Sequence, residues 1–310
     1  MTWLLWRQHR AQVFVTTIAI ALFAVAVVLT GVHMAHVYDD ARASCTGNGT
    51  CDLVHNLFSG YGAIIDVVHL TLALPVILGA FVGAMLVARE KEHATNVLVW
   101  TQSVTRLRWL FSKIATVLVG TLVTSAVVSA LVTWWSSTPN SLDGNRFEGA
   151  QFDTQNVLPI ALAIFAVALG IAAGCLLRRT LPALATTVGV YVGVCVLVSV
   201  YLRPHYLTPI TRSFPLNADA ALPSGSWRMK ESLVNAVGKS TDGRITVPAS
   251  CGRIGKDPAS CLSRLGYHEI VKYQPPSHYW PFQWIESGIF LTLAAVLITV
   301  AVVYTLRRDA

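Results

Sequence analysis

"VLPIALAIFAVALGIAAGCLL" occupies Val157–Leu177 and contains no charged residue. A helix of roughly 20 residues, rising about 1.5 Å each, crosses a hydrocarbon core of about 30 Å. In lipid every backbone N–H and C=O needs an internal partner. An unbroken apolar run of this length therefore reads as a membrane-spanning helix, not as an alternating barrel strand. Five further runs lack Asp, Glu, Lys and Arg over a similar length: Val13–Val32, Val67–Ala88, Ile114–Trp135, Leu181–Leu202 and Ser287–Leu306. The chain of 310 residues is 54% hydrophobic and 13% charged, whereas soluble domains carry about 25% charged residues. The expected fold class is an all-α polytopic membrane protein with six transmembrane helices. Arg7 and Arg10 precede the first run like a signal peptide's basic region. That run is too long for one, and no A-x-A site follows Val32, so the helix is read as retained.

Lys and Arg near the helix ends set the orientation. With six spans both termini share a side. That side carries Arg7, Arg10, Arg89, Lys91, Arg106, Arg108, Lys113, Arg178, Arg179, Arg307 and Arg308, while the two short opposite loops carry only Arg42 and Arg146. Both termini are expected in the cytoplasm, in a multi-pass plasma-membrane protein. The net charge of +7 is in good part this inside signal and gives no reason to expect a nucleic-acid partner. Residues 1–202 are read as an N-terminal interfacial helix (Trp3, Trp6, Arg7, Arg10) and helices one to five, with an inward segment at 88–109. Residues 203–284 are read as a small loop-rich extracellular domain, and 285–310 as helix six with a cytoplasmic tail. Cys45, Cys51, Cys251 and Cys261 fall outside, in an oxidising compartment. Local Cys45–Cys51 and Cys251–Cys261 disulfides are expected, though four cysteines permit three pairings.

Small-xxx-small repeats occur at Gly79/Gly83, Gly170/Gly174 and Gly189/Gly193. Such spacing lets helix backbones approach closely and favours a tight bundle or a dimer. Pro75 is expected to kink helix two. Asp66, His69 and Glu286 lie near helix ends. Their shallow depth favours interfacial capping over an ion path. In the outer segment Trp227–Val237 reads as an amphipathic helix and His268–Tyr273 as a β-like stretch. "YWPFQWIESG" (Tyr279–Gly288) reads as an aromatic belt with a proline turn, of partly re-entrant form.

No catalytic or metal-binding constellation emerges. "LVNAVGKST" (Leu233–Thr241) ends like a phosphate-binding loop, but Leu233 stands where the motif needs glycine. "GYGAI" (Gly60–Ile64) lacks the Thr-Val that precedes a channel filter, and no HExxH is present. "NGT" (Asn48–Thr50) is a glycosylation sequon, relevant only in a secretory-pathway host.

Between helices two and three stands "AREKEHATNVLVWTQSVTRLRW" (Ala88–Trp109). Thr95 can cap a short second helix, Asn96–Thr101. Its apolar face, Val97, Leu98 and Trp100, suits the groove of a cytoplasmic partner. A solvated, positively charged loop with interfacial tryptophans fits the same residues. The run from Ala88 to Lys113, with Gln102–Arg106 ("QSVTR") its most telling part, resembles the segment joining helices two and three in ABC-2 type transporter permeases. Actinobacterial members, which also begin with W-R-Q-x-R as at Trp6–Arg10, are especially similar. Ala94 departs from the glycine usual in that family.

The resemblance implies a permease subunit of an ABC exporter, type V exporter-like in fold. In this reading Ala88–Trp109 holds the coupling helix, and Glu90, Glu92, His93, Thr95, Leu98, Trp100, Gln102 and Arg106 contact a separate cytoplasmic ABC ATPase dimer. ATP and Mg would be bound by that partner and no cofactor by this chain. A second permease subunit, identical or related, would complete the complex. Cargo would leave along helices one, two and five. The uncharged spans favour an amphipathic or lipophilic cargo (a drug, peptide or lipid). The alternative is a non-transporting membrane scaffold or sensor whose extracellular domain binds a ligand or protein; an ion-coupled carrier is a third reading.

Overall fold

The computed structural model describes residues 2–44, 66, 68–92, 106–137, 146–147, 149–216, 222–235, 240–241, 251 and 258–308. Among them six helices are long and apolar enough to cross a membrane. Helix one is Thr2–Ser44 and helix three Arg106–Trp135. Helix four is Leu158–Leu177, helix five starts at Thr180–Leu197, and helix six is Tyr279–Arg308. Helix four is the central post. In its membrane-length stretch 78% of the residues are buried, against 11% to 33% in the other five. Its exclusively apolar and small residues suit this place, because they meet protein on every side.

Helix two changes its winding along its length. A 3-10 turn (Thr71–Ala73) leads into an α-turn (Leu74–Ile77), a π-helical segment (Leu78–Ala84) and a final α-helix (Met85–Glu92). Pro75 sits in the α-turn and lacks the N–H for an i−4 bond, so the irregular winding has a local cause. Gly79 and Gly83 fall within the π segment. A Cβ on Gly79 would stand 2.5 Å from the Ala166 carbonyl oxygen, and one on Gly83 2.6 Å from that of Val167. On helix four, a Cβ on Gly170 would strike the Gly79 carbonyl, and one on Gly174 would lie 2.7 Å from that of Ala84. The two backbones touch where side chains would otherwise hold them apart. By contrast, a Cβ at Gly189 or Gly193 of helix five meets nothing within 4 Å. Among the described residues that pair makes no close packing.

Helix one packs on helix three through Val27, Met34, Val128, Val132 and Trp135. Elsewhere it exposes Phe14, Ile18, Leu22, Val25 and Leu29, the surface a bilayer covers. Its first turns run into the span without a break, so the expected separate interfacial helix at Trp3–Arg10 is absent. The segment continues a regular i→i−4 ladder and has no helix-breaking residue before Phe14.

Helix five ends in a π turn (Val198–Leu202) and a 3-10 turn (Arg203–His205). Beyond it lies an antiparallel sheet of β1 (Ile210–Pro215), β2 (Trp227–Val234), β3 (Ser240–Thr241) and β4 (His268–Gln274), in the order β1-β4-β2-β3. β1 leaves helix five and β4 enters helix six, so their pairing, Ile210 with Tyr273 through Pro215 with His268, prolongs the contact of those helices. The amphipathic helix expected at Trp227–Val237 is instead strand β2. Its backbone pairs along β4 with a bulge between Arg228 and Lys230. Long-range pairing there overrides a helix-compatible pattern of apolar residues. The β-like stretch at His268–Tyr273 falls within β4. A short helix, Pro258–Arg264, carries Cys261, disulfide-bonded to Cys251. Cys45 and Cys51 lie outside the described residues.

The aromatic stretch Tyr279–Gly288 is not re-entrant. It forms the first turns of one unbroken helix, so the expected boundary at 284/285 falls inside helix six. Pro281 is its third residue. A missing N–H is tolerated there because first-turn N–H groups have no intrahelical acceptor.

Candidate functional site

Helix five is gripped at both ends. At its start the cap residue Arg179 has an extended backbone and makes no side-chain cap bond. The cap comes from helix two. Thr180 donates its backbone N–H to Glu92 Oε2 at 3.0 Å, and its hydroxyl donates to the same oxygen. A carboxylate at this place satisfies an orphan donor and faces the positive end of the helix dipole. The adjacent turn is sharp: Arg178 takes φ 56° and closes helix four, its N–H bonding the Gly174 carbonyl at 3.3 Å. Its guanidinium lies 6.0 Å from the centroid of the Tyr304 ring of helix six. Thus the ends of helices two, four, five and six meet beside the last described residue before the 93–105 segment.

At the sheet end Arg203 is 4% exposed and Glu286 2%. Arg203 donates Nε to Glu286 Oε2 at 2.8 Å and Nη2 to Glu286 Oε1 at 2.6 Å, a two-pronged pair joining helices five and six. Nη2 also donates to Asp153 Oδ1 in the short helix Gly149–Thr154. The guanidinium lies 4.4 Å from the Phe152 ring centroid, within the range of a cation–π contact. Two carboxylates share one cation. Asp153 is pushed up to about 6, burial being the main cause and Glu286 adding to it, while Arg203 pulls the other way.

Aromatic rings and amides roof this site. Phe147 packs edge-on to Tyr279 at 5.5 Å and to Phe282 at 5.6 Å, and it stacks on Trp227 of β2. Gln283 accepts from the Leu158 N–H at 3.1 Å and donates to the Phe152 carbonyl at 3.0 Å, tying helix six to the start of helix four. Asn156, at φ 62°, a conformation asparagine tolerates better than most residues, donates Nδ2 to the Tyr279 hydroxyl at 2.7 Å and its N–H to Thr133 Oγ1 at 2.8 Å. Below Asp153 a cavity of about 20 Å³ is lined by Thr71, Ser125, Ser129, Thr154 and apolar residues of helices two, three and four. That volume admits about one water-sized guest.

A family model described as ABC-2 membrane transporter related matches residues 17–203, more than half of the chain. The chain belongs to that family. No curated protein and no solved structure matches it. Within the ABC-2-related chain the matched part runs from helix one to Arg203 and leaves the sheet and helix six beyond it.

Of the residues expected to couple this transporter subunit to an ATPase, Glu90 and Glu92 end helix two and Arg106 begins helix three. His93, Thr95, Leu98, Trp100 and Gln102 lie outside the described residues. Trp3, Trp6, Arg7 and Arg10 belong to helix one. Glu286, expected as an interfacial cap, is instead buried against Arg203. Sequence reasoning missed Asp153, Asn156, Arg203 and Gln283. One signal was available: Arg203 and Glu286 stand at the same-side ends of consecutive spans, on the side otherwise poor in basic residues near helix ends.

Proposed function

We propose that this chain is the permease subunit of a type V-like ABC exporter. It moves an amphipathic or lipophilic cargo across the plasma membrane, with ATP and Mg held by a separate ATPase dimer. Both termini face the cytoplasm, the sheet forms an extracellular domain, and a second permease chain completes the path. The observation that carries this reading is the bond between Glu92 and Thr180. Glu92 directly precedes the segment that resembles a coupling helix. A push on that segment bears on the end of helix two and, through Glu92, on the N-terminus of helix five. Gly79, Gly83, Gly170 and Gly174 let helix two and helix four move as one stiff pair. Helix five is then the element that swings between two arrangements. Its open face at Gly189 and Gly193 suits a second chain.

The test is co-purification of the full-length permease with an ABC ATPase of the same host. ATPase co-elution, with loss of cargo-stimulated hydrolysis in a folded Glu90→Lys/Glu92→Lys variant, supports the reading. A permease that is stable alone and binds no ATPase overturns it.

A further inference from the structure

Helix two carries two overlapping rows of small residues. One is Gly79 and Gly83; the other is Ala80, Ala84 and Ala88. Members of a row stand four apart, so on an unbroken α-helix each row forms its own stripe. The structure uses a piece of both. Gly79 meets helix four at Ala166 and Gly170. Gly174 instead faces the second row, where an added Cβ would stand 2.7 Å from the Ala84 carbonyl oxygen and 3.2 Å from the Ala88 nitrogen. The π-helical segment Leu78–Ala84 lies where the contact crosses from one row to the other. In a π-helix each N–H bonds to the carbonyl five residues back, so Gly79 and Ala84 form one rung of that segment. Gly170 packs on this rung: an added Cβ would strike the Gly79 carbonyl oxygen and stand 2.7 Å from the Ala84 nitrogen. Pro75 breaks the ladder on the Thr71 side; the wide rungs lie on its other side, against helix four.

We propose that this π segment stores one residue and makes helix two an element with two registers. In the second register the N–H groups bond four residues back. Ala84 then pairs with Ala80, which takes the place of Gly79, and Ala80, Ala84 and Ala88 form one stripe against helix four. The half from Ala84 to Glu92 keeps its seat, so Glu92 stays at Thr180. Everything on the sheet side of Ala80 turns by about 100° and advances by about 1.5 Å. Val76 enters the buried place of Pro75. Thr71 leaves the wall of the cavity that it shares with Ser125, Ser129 and Asp153, and Leu72 takes its position there. Two opposing costs keep the registers close in energy. The wide rungs are a rare geometry, and the α ladder relieves it. Against that, an Ala80 methyl in the Gly79 place would stand 2.5 Å from the Ala166 carbonyl oxygen. The helices must part slightly, losing the close approach of the Gly79 Cα to that carbonyl, a weak favourable contact. Removing one residue from the segment abolishes the choice. Without Phe81, which is 57% exposed, Ala84 becomes the fourth residue after Gly79. Their rung then survives as an ordinary α rung and both flanks keep their places.

The stored residue stands on the chain's own geometry, and only its use during transport rests on the permease reading. The experiment therefore needs neither ATPase nor cargo. Full-length protein in lipid nanodiscs carries a trifluoromethyl label on Ile77→Cys, and the protein without that cysteine supplies the background signal. Position 77 is 49% exposed and in the second register enters the more buried place of Val76. Fluorine NMR is expected to show two resonances from the label, the minor one about 1–10% of the signal, and a single resonance once Phe81 is also deleted. Thermal unfolding is the second measurement. Deletion of Phe81 should keep the wild-type midpoint. Deletion of Val123, also 57% exposed but in the regular helix three, should lower it, because every residue beyond the deletion changes face. A single resonance in the undeleted protein, two in the deleted one, or a Phe81 deletion as damaging as that of Val123 overturns the proposal.

Discussion

At its Thr180 end helix five rests on one exposed carboxylate, Glu92, whereas at its Arg203 end it is held by a buried Glu286 and a partly exposed Asp153. The chemistry is similar, a carboxylate accepting from a donor on helix five, but the surroundings differ. Water can replace the Glu92 contact with little loss, since exposed polar contacts contribute little net energy. Glu286 is not so easily replaced, because its partner Arg203 is 4% exposed and lies against the Phe152 ring. One end is an exposed, replaceable contact; the other is a buried anchor.

The comparison breaks most readily at the buried anchor. Glu286→Ala leaves Arg203 buried with Asp153 alone and should cost about 3–5 kcal/mol, read as a large drop in the thermal midpoint of the detergent-solubilised chain. A small drop would mean that the pair is wetter than its burial implies. Next, Gly170→Leu forces a side chain into the helix-two backbone at Gly79. Overpacking of that kind costs about 1–3 kcal/mol or more, whereas Gly189→Leu, at a position where an added Cβ has no described neighbour within 4 Å, should leave monomer stability unchanged. The same stability measurement on the two variants separates intrachain packing from any contact between chains.

The pH dependence distinguishes the two ends further. Asp153 is raised from 3.8 to about 6, so the folded protein binds its proton more tightly than the unfolded chain does. The stability that this proton contributes is complete below the unfolded value and is lost as pH rises through about 6. Thermal midpoints recorded from pH 4 upward should therefore decline across that window, and the decline should flatten in Asp153→Asn. Smallest in stability is Glu92→Ala. Removing an exposed acceptor at a helix N-terminus should cost less than about 1 kcal/mol. On the coupling reading the same change lowers cargo-stimulated ATP hydrolysis several-fold, with the fold intact by circular dichroism.

The two ends were also unequally legible. The 88–109 segment stood out because it interrupts apolar runs with charge and tryptophan, a local contrast. Asp153 gave no such contrast, lying in a polar connection beside Gln151 and Thr154. Its meaning depends on Arg203, fifty residues away, and on Glu286, further still. The strand at Trp227–Val234 failed for the same reason: its partner, β4, lies beyond the Cys251–Cys261 loop.

What the sequence determined by itself are the six spans, the apolar surface and the glycine spacing, since backbone satisfaction in lipid is met within each helix and depends on length and hydropathy alone. Only the tertiary structure decided that helix four is the post, that Gly79 and Gly83 meet Gly170 and Gly174 while Gly189 and Gly193 stay open, and that one arginine gathers two carboxylates. Those choices are contacts between elements, and identical spacing in three helices cannot say which of them touch.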